Sequence, residues 1–290
     1  VRRIDAHHHL WAPERGDYGW MPRDEPRLWR RYGPADLAPI LADHGIDATV
    51  LVQAAPTVAE TDYMLGLADA TDWIAGVVGW VDFENRDHVR HLERFARHPK
   101  FVGVRPMVVD IPDAGWMLRE DIRWGYRALV DLDLSFDALG FPMHLANFAR
   151  VAEAHPDLRM VIDHCLKPRI RDHPEGFDAW AEGIARLAAT QAFCKLSGLV
   201  NEAAAGWTVN DLRPYADHVL AAFGPHRVLW GSDWPVCRLA AEYGDWLAGA
   251  EALTSALDDE ARAAIFGGTA ARAYRLPRVG PGPEHGDACP

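Results

Sequence analysis

The 290-residue chain has four cysteines, Cys165, Cys194, Cys237 and Cys289, and no two of them form a CxxC pair. Metal-ribbon and dithiol motifs are therefore excluded. Scattered thiols also argue against a disulfide scaffold, so reduced cysteines and a cytoplasmic setting are the expectation. The chain has no apolar run of membrane-spanning length and no recognisable signal peptide, which argues against a membrane partner. Positive charge is scarce, with 30 Lys and Arg against 42 Asp and Glu and a net charge of −12. That balance excludes a general nucleic-acid or anionic-membrane binder, although a few placed arginines still suit an anionic small molecule. No GxGxxG or Walker-type glycine loop follows any candidate strand, which weakens a nucleotide-binding open sheet. There is no internal repeat.

Hydrophobic residues make up 49% of the chain, enough to bury a sizeable core. Eight short β-rich runs recur: 2–8, 48–55, 74–81, 101–107, 134–140, 159–165, 193–199 and 227–233. Most are rich in Val, Ile, Leu or Phe, as strands covered on both faces should be. Helical patterns lie between them. In PADLAPILADHG, Leu37, Ile40 and Leu41 share a face and Gly45 supplies a stop; in RDHVRHLERFARH, Val89, Leu92 and Phe95 recur at helical spacing. Eight strands, each followed by a helix, predict an α/β fold of the (β/α)8 TIM-barrel type over residues 1–276. The Gly/Pro-rich stretch 277–290 reads as a tail. Two loops, 10–33 and 200–208, would lie on the catalytic face of such a barrel. Twelve tryptophans are many for this length, and several fall in or beside expected loops, where they suit the wall of a pocket for a ring-shaped ligand.

The opening IDAHHHLW holds three consecutive histidines. Side chains alternate along a strand, so His7 and His9 share one face, about 6.6 Å apart, and His8 points away. If Ile4 and Ala6 pack outward against helices, His7 and His9 point into the barrel mouth. A tag remnant or a solvated run is the plainer alternative, but tags are longer and are not embedded in a strand. Three further strands close on polar residues: Arg105 in GVRP, His164 in VIDHC and Asp233 in LWGSDWP. Strand C-termini are where barrel active sites lie.

These pieces together resemble the amidohydrolase superfamily over nearly the whole chain: HxH at His7 and His9, GVR at 103–105, DHCLKP at 163–168 and GSDWP at 231–235. DAHHHLWAPERGDYGW, HPKFVGVRPMV and HPDLRMVIDHCLKP are similar, more narrowly, to the lactonase branch of L-fuconolactonase-like and 2-pyrone-4,6-dicarboxylate-lactonase-like enzymes. The resemblance implies a distorted barrel and hydrolysis of a sugar-acid lactone, a cyclic ester, with a small-molecule lactone as partner. Two-metal members need a bridging carboxylate or modified lysine on strand four. Here that strand offers Arg105, which cannot deprotonate to ligate an ion. The implication is at most one divalent ion, zinc by donor type, on His7, His9 and Asp233, with His164 a further ligand or a substrate contact. Some members of the branch do without a tightly bound metal.

The implied catalytic residues are Asp233 as general base, with His164 and Arg105 as oxyanion or substrate contacts. An N-cap role for Asp233 and a structural ion pair for Arg105 are the alternatives. Trp11, Trp20, Trp80, Trp234 and Lys167 are candidate substrate-binding residues, with core packing or surface pairing as alternatives. Asp137 faces the mouth or falls a turn deeper, and His144 reads as structural. A decarboxylase of the same superfamily and a non-catalytic binding barrel are the rival functions. Sugar identity, ring size and homo-oligomer formation are not readable from the sequence.

Overall fold

The computed structural model describes residues 2–276; the expected tail 277–290, with Cys289, lies outside the described residues. Each apolar run forms a strand, shorter than its sequence pattern. They are β1 (Ile4–His8), β2 (Ala48–Val52), β3 (Ile74–Gly79), β4 (Phe101–Val104), β5 (Ser135–Ala138), β6 (Arg159–Ile162), β7 (Phe193–Leu196) and β8 (Val228–Trp230). All seven ladders are parallel and follow chain order from β1 to β8. The patterns run longer than the ladders because the last residues of each run leave the sheet and line its catalytic end.

Helices cover the outside of the sheet: α1 (Pro34–Asp43), α2 (Val58–Asp69), α3 (Val89–Phe95), α4 (Arg123–Asp131), α5 (Leu145–Ala154), α6 (Phe177–Ala188), α7 (Leu199–Glu202), α8 (Val209–Phe223), α9 (Tyr243–Leu253), α10 (Asp259–Ala263) and α11 (Thr269–Ala273). Gly45, expected as the stop of α1, adopts φ +62° just beyond it, a left-handed position that glycine takes without steric cost. No helix among the described residues is long and apolar enough to cross a membrane. Cys165, Cys194 and Cys237 are buried free thiols.

Strand β1 departs from simple alternation. Asp5 pairs with Thr49, but His8 pairs with Leu51, so three steps on β1 face two on β2. This β-bulge flips the face of every residue beyond it. Ile4 and Ala6 therefore do not pack outward as the alternation suggests. They join Val50, Val52, Val78, Val161 and Leu229, from strands around the sheet, in an apolar plug inside the barrel, capped by Tyr274 and Leu276. His7, one residue on, also faces inward.

The ring closes through residues beyond the β8 ladder. Asp233 N donates to His7 O and His9 N donates to Trp234 O, both at 2.7 Å. On the outer side Asp5 clips this seam: its carboxylate accepts from His7 N (3.1 Å), Ser232 N (2.9 Å) and Tyr243 Oη of α9 (3.1 Å). A Cβ on Gly231 would lie 2.6 Å from His7 Cβ, so the seam admits no side chain there.

Candidate active site

Asp233 is the point of convergence. Its Oδ1 lies 3.3 Å from His9 Nε2, 3.7 Å from His7 Nε2 and 3.8 Å from His164 Nε2. Asp233 adopts φ +57°, a left-handed conformation that aspartate tolerates better than most residues. Its side chain caps no helix; the 3-10 turn Val236–Leu239 begins after Pro235. The N-cap alternative for Asp233 is thus removed.

His164 reaches the site by a left-handed turn. His164, Cys165, Leu166 and Lys167 have φ of +50° to +54°, a conformation that costs a non-glycine residue about 1–2 kcal/mol. The turn lets two adjacent residues, Asp163 and His164, both face the interior. It is held by Trp180 Nε1 donating to Cys165 O at 2.8 Å and Lys167 N donating to His164 O at 2.8 Å. Gly198, at φ +67°, leaves space for the imidazole: a Cβ there would meet His164 Nδ1 at 2.6 Å.

Hydrogen bonds orient the imidazoles. His9 Nδ1 lies 2.8 Å from Val52 O, an acceptor only, so Nδ1 carries a proton and Nε2 is turned to Asp233. His164 Nδ1 meets Ser197 Oγ at 2.8 Å, leaving its Nε2 toward the same carboxylate. Donor atoms of His7, His164 and Asp233 all lie within 4.8 Å of one another. This donor set fits one divalent ion, with outer partners that orient the imidazoles. His164, left open as a ligand or a substrate contact, lies with His7 and Asp233 in this cluster, and His9 approaches the same Asp233 oxygen.

Beneath the histidines lies a buried ionic layer that the strand patterns did not reveal. Lys195 Nζ of β7 lies 2.7 Å from Asp137 Oδ2, 2.7 Å from Asp163 Oδ1 and 3.0 Å from His7 Nδ1. Asp137 thus falls below the mouth, where Tyr274 Oη also donates to it at 2.7 Å. Arg105 Nη1 lies 3.2 Å from Asp163 Oδ2 and 3.3 Å from His7 Nε2, and Nη2 donates to Gln53 O. Its Nε is buried without a partner. The signal for Lys195 was a lysine inside the apolar run FCKL; a charge at an inward position of a buried strand demands partners.

The charges follow from burial and neighbours. Burial raises the Asp233 carboxyl, but His164, His9 and His7 outweigh it and hold it well below the usual carboxylate range. Burial pushes His164 down to about 4, with Asp233 and Asp163 opposing, and pushes His7 well below its ordinary value. Asp163 is held low against burial by Lys195, then His7 and Arg105.

A cavity of ≈150 Å³ opens above this layer. Its polar wall is His9, Arg105, Asp110, His164, Lys167 and Asp233; its apolar wall is Trp20, Ala54, Met107, Val109, Leu139 and Val236. Trp20 is fixed by its Nε1 donating to Ala54 O at 2.6 Å, and Lys167 pairs with Glu202 of α7 at 3.0 Å. The other candidate tryptophans are not on this wall. Trp11 is fully buried behind His9, and its Nε1 is taken by Leu28 O and Arg30 O. Trp234 is buried against Tyr32. Trp80 lines a neighbouring cavity. These positions depend on the path of loop 10–33 and on the β3–α3 connection, which strand periodicity does not report. His8 faces out, 2.8 Å from Thr49 Oγ1. His144 is buried, and its Nδ1 accepts from Phe141 N at 3.0 Å.

Comparison with known proteins places this geometry. The L-fucono-1,5-lactonase of Burkholderia ambifaria is 42% identical over 281 residues, 95% of this chain and 96% of that protein. The L-fucono-1,5-lactonase of Burkholderia multivorans is 35% identical over 286 residues, again 95% and 96% of the two. A crystal structure of a B. multivorans amidohydrolase with bound zinc superposes with a TM-score of 0.90 at 35% identity, covering 96% of this chain and all of that one. The amidohydrolase family profile matches residues 4–276, from the first residue of β1 to the last described residue. Strand order, strand-end histidines and the carboxylate after β8 all fall within that span, and the chain belongs to the amidohydrolase family.

Proposed function

We propose that this protein hydrolyses the lactone of a sugar acid, L-fucono-1,5-lactone foremost, to the open-chain acid. The observation that carries the reading is the Asp233 carboxylate, ionised by its surroundings and set at the floor of a cavity fit for one small ring. Water between Asp233 and the lactone gives up a proton to the carboxylate as its oxygen attacks the carbonyl carbon. The Arg105 guanidinium, on the cavity wall, faces the carbonyl oxygen as negative charge develops there. Its guanidinium is held rigid by Asp163 and Gln53, so the donor needs no reorganisation. The ring C–O bond then breaks, and Asp233 returns its proton to the departing alkoxide. Lys167 and Asp110 are placed to bind ring hydroxyls, and Trp20 offers an indole beside the ring.

Zinc is the ion we propose for His7, His164 and Asp233, with His9 beside them. Imidazole and carboxylate donors suit it, and the B. multivorans relative contains it. A bound divalent ion would supply Lewis-acid polarisation and a more acidic water. A panel of fuconic, rhamnonic, galactonic and arabinonic lactones, assayed by acid release with and without chelator, tests the reaction and the metal need together. Acid release from L-fucono-1,5-lactone is expected, with the Asp233→Asn protein slower by about 100-fold or more. Equal rates for the two proteins would overturn the assignment.

A further inference from the structure

The neighbouring cavity, of ≈340 Å³, has no part in the mechanism above. Its walls come from the segments after β2, β3 and β4: Pro56, Trp80–Glu84 and Pro106, Met107, Asp110 and Ile111, with Trp116. It therefore opens at the catalytic end of the barrel, and it shares Met107 and Asp110 with the catalytic cavity.

The chemistry of these walls selects a ligand class. Asp82, Glu84 and Asp110 bring carboxylates, and no basic side chain lines the cavity, so an anion is disfavoured. Glu84 is engaged by Arg119, Asp82 Oδ1 accepts Glu84 N at 2.9 Å, and Asp110 feels Arg105 without a hydrogen bond. A metal ion is disfavoured too: the cluster with ligating geometry among the described residues is His7, His164 and Asp233. Trp116 is 2% exposed and its Nε1–H has no partner. The half-buried Trp80 indole and the spare carboxylate oxygens suit a neutral polyhydroxylated ring. Its C–H face packs on an indole, and its hydroxyls donate to carboxylates.

We propose that this cavity is a second sugar subsite. Lactones of disaccharide aldonic acids would then bind with the lactone ring over Asp233 and the glycosyl ring against Trp80, passing Met107 and Asp110. The proposal rests on the lactonase reading for the first ring only.

The test uses the full chain with single-ring lactones, lactones of cellobionic, lactobionic and maltobionic acids, and the variants Trp80→Ala and Asp82→Asn. At least one disaccharide lactone is expected to have a KM about tenfold below that of the matching single-ring lactone. Each variant should raise that KM about tenfold and leave the single-ring KM within about twofold. Equal effects on both substrates, or no disaccharide lactone turned over, would overturn the subsite while single-ring turnover upholds the lactonase reading. If no lactone is hydrolysed at all, calorimetric titration with cellobiose decides separately. Binding that Trp80→Ala abolishes supports the subsite, and absence of binding overturns it.

Discussion

His7, His8 and His9 are chemically identical, yet backbone geometry gives them different work. His7 and His9 converge on Asp233, while His8 leaves the barrel toward Thr49 and lies near Trp73. His8→Ala is expected to lower unfolding stability by about 1–3 kcal/mol and to leave kcat/KM of the folded protein within a few-fold. His9→Ala should retain the thermal midpoint more closely and lose activity by about 100-fold; thermal melts and lactone kinetics on both variants check the contrast. Alternation within a strand was enough to separate His8 from its neighbours. It was not enough for Ile4 and Ala6, because one extra residue in β1 changes the face and leaves no mark in composition. Asp233, Arg105 and His164 were legible because each ends an apolar run. Lys195 and Asp163 were not, because partners that justify a buried charge sit on other strands. Trp11 and Trp234 turn into the core and Trp80 onto the neighbouring cavity, because a loop's path is set by tertiary contacts.

Two elements pose sharper tests. Gly198→Ala places a Cβ at φ +67° and 2.6 Å from His164 Nδ1, so it should displace that imidazole while leaving the other wall residues in place. Lower zinc content by elemental analysis and lower kcat are expected together. The N-terminus of α2 carries a buried carboxylate, Glu60, that accepts from Ala54 N (3.0 Å) and Ala55 N (2.5 Å). Burial raises it to about 8, with those N–H groups opposing. A carboxyl whose folded value lies above its unfolded value favours folding at low pH. That contribution is complete below about 4.5 and is lost as pH rises through about 8. Denaturant titrations of the parent should therefore lose stability across that window, and Glu60→Gln should flatten the loss. The clamp also fixes Ala54, whose carbonyl holds Trp20, so the variant should raise KM for the lactone.

At the scale of the whole molecule, the barrel is apolar at its base and ionic at its catalytic end. Lys195 there bridges Asp137 and Asp163 with no solvent access, and Arg105 supplies the second positive charge. Lys195→Met should cost about 3–5 kcal/mol because it leaves buried Asp137 without a cation and Asp163 with Arg105 alone. Adding Asp137→Asn should recover part of that loss, which melts of the single and double variants would report. The seam has a different consequence. Asp233 N donates to His7 O and His9 N to Trp234 O, so the hydrogen bonds that lock the ring also bring the first strand's histidines to the last strand's carboxylate. Turnover is then a readout of ring closure itself. During refolding, a partly wound barrel with most of its helices still lacks its catalytic centre. Activity should return in step with the joining of first strand to last, later than far-ultraviolet helicity.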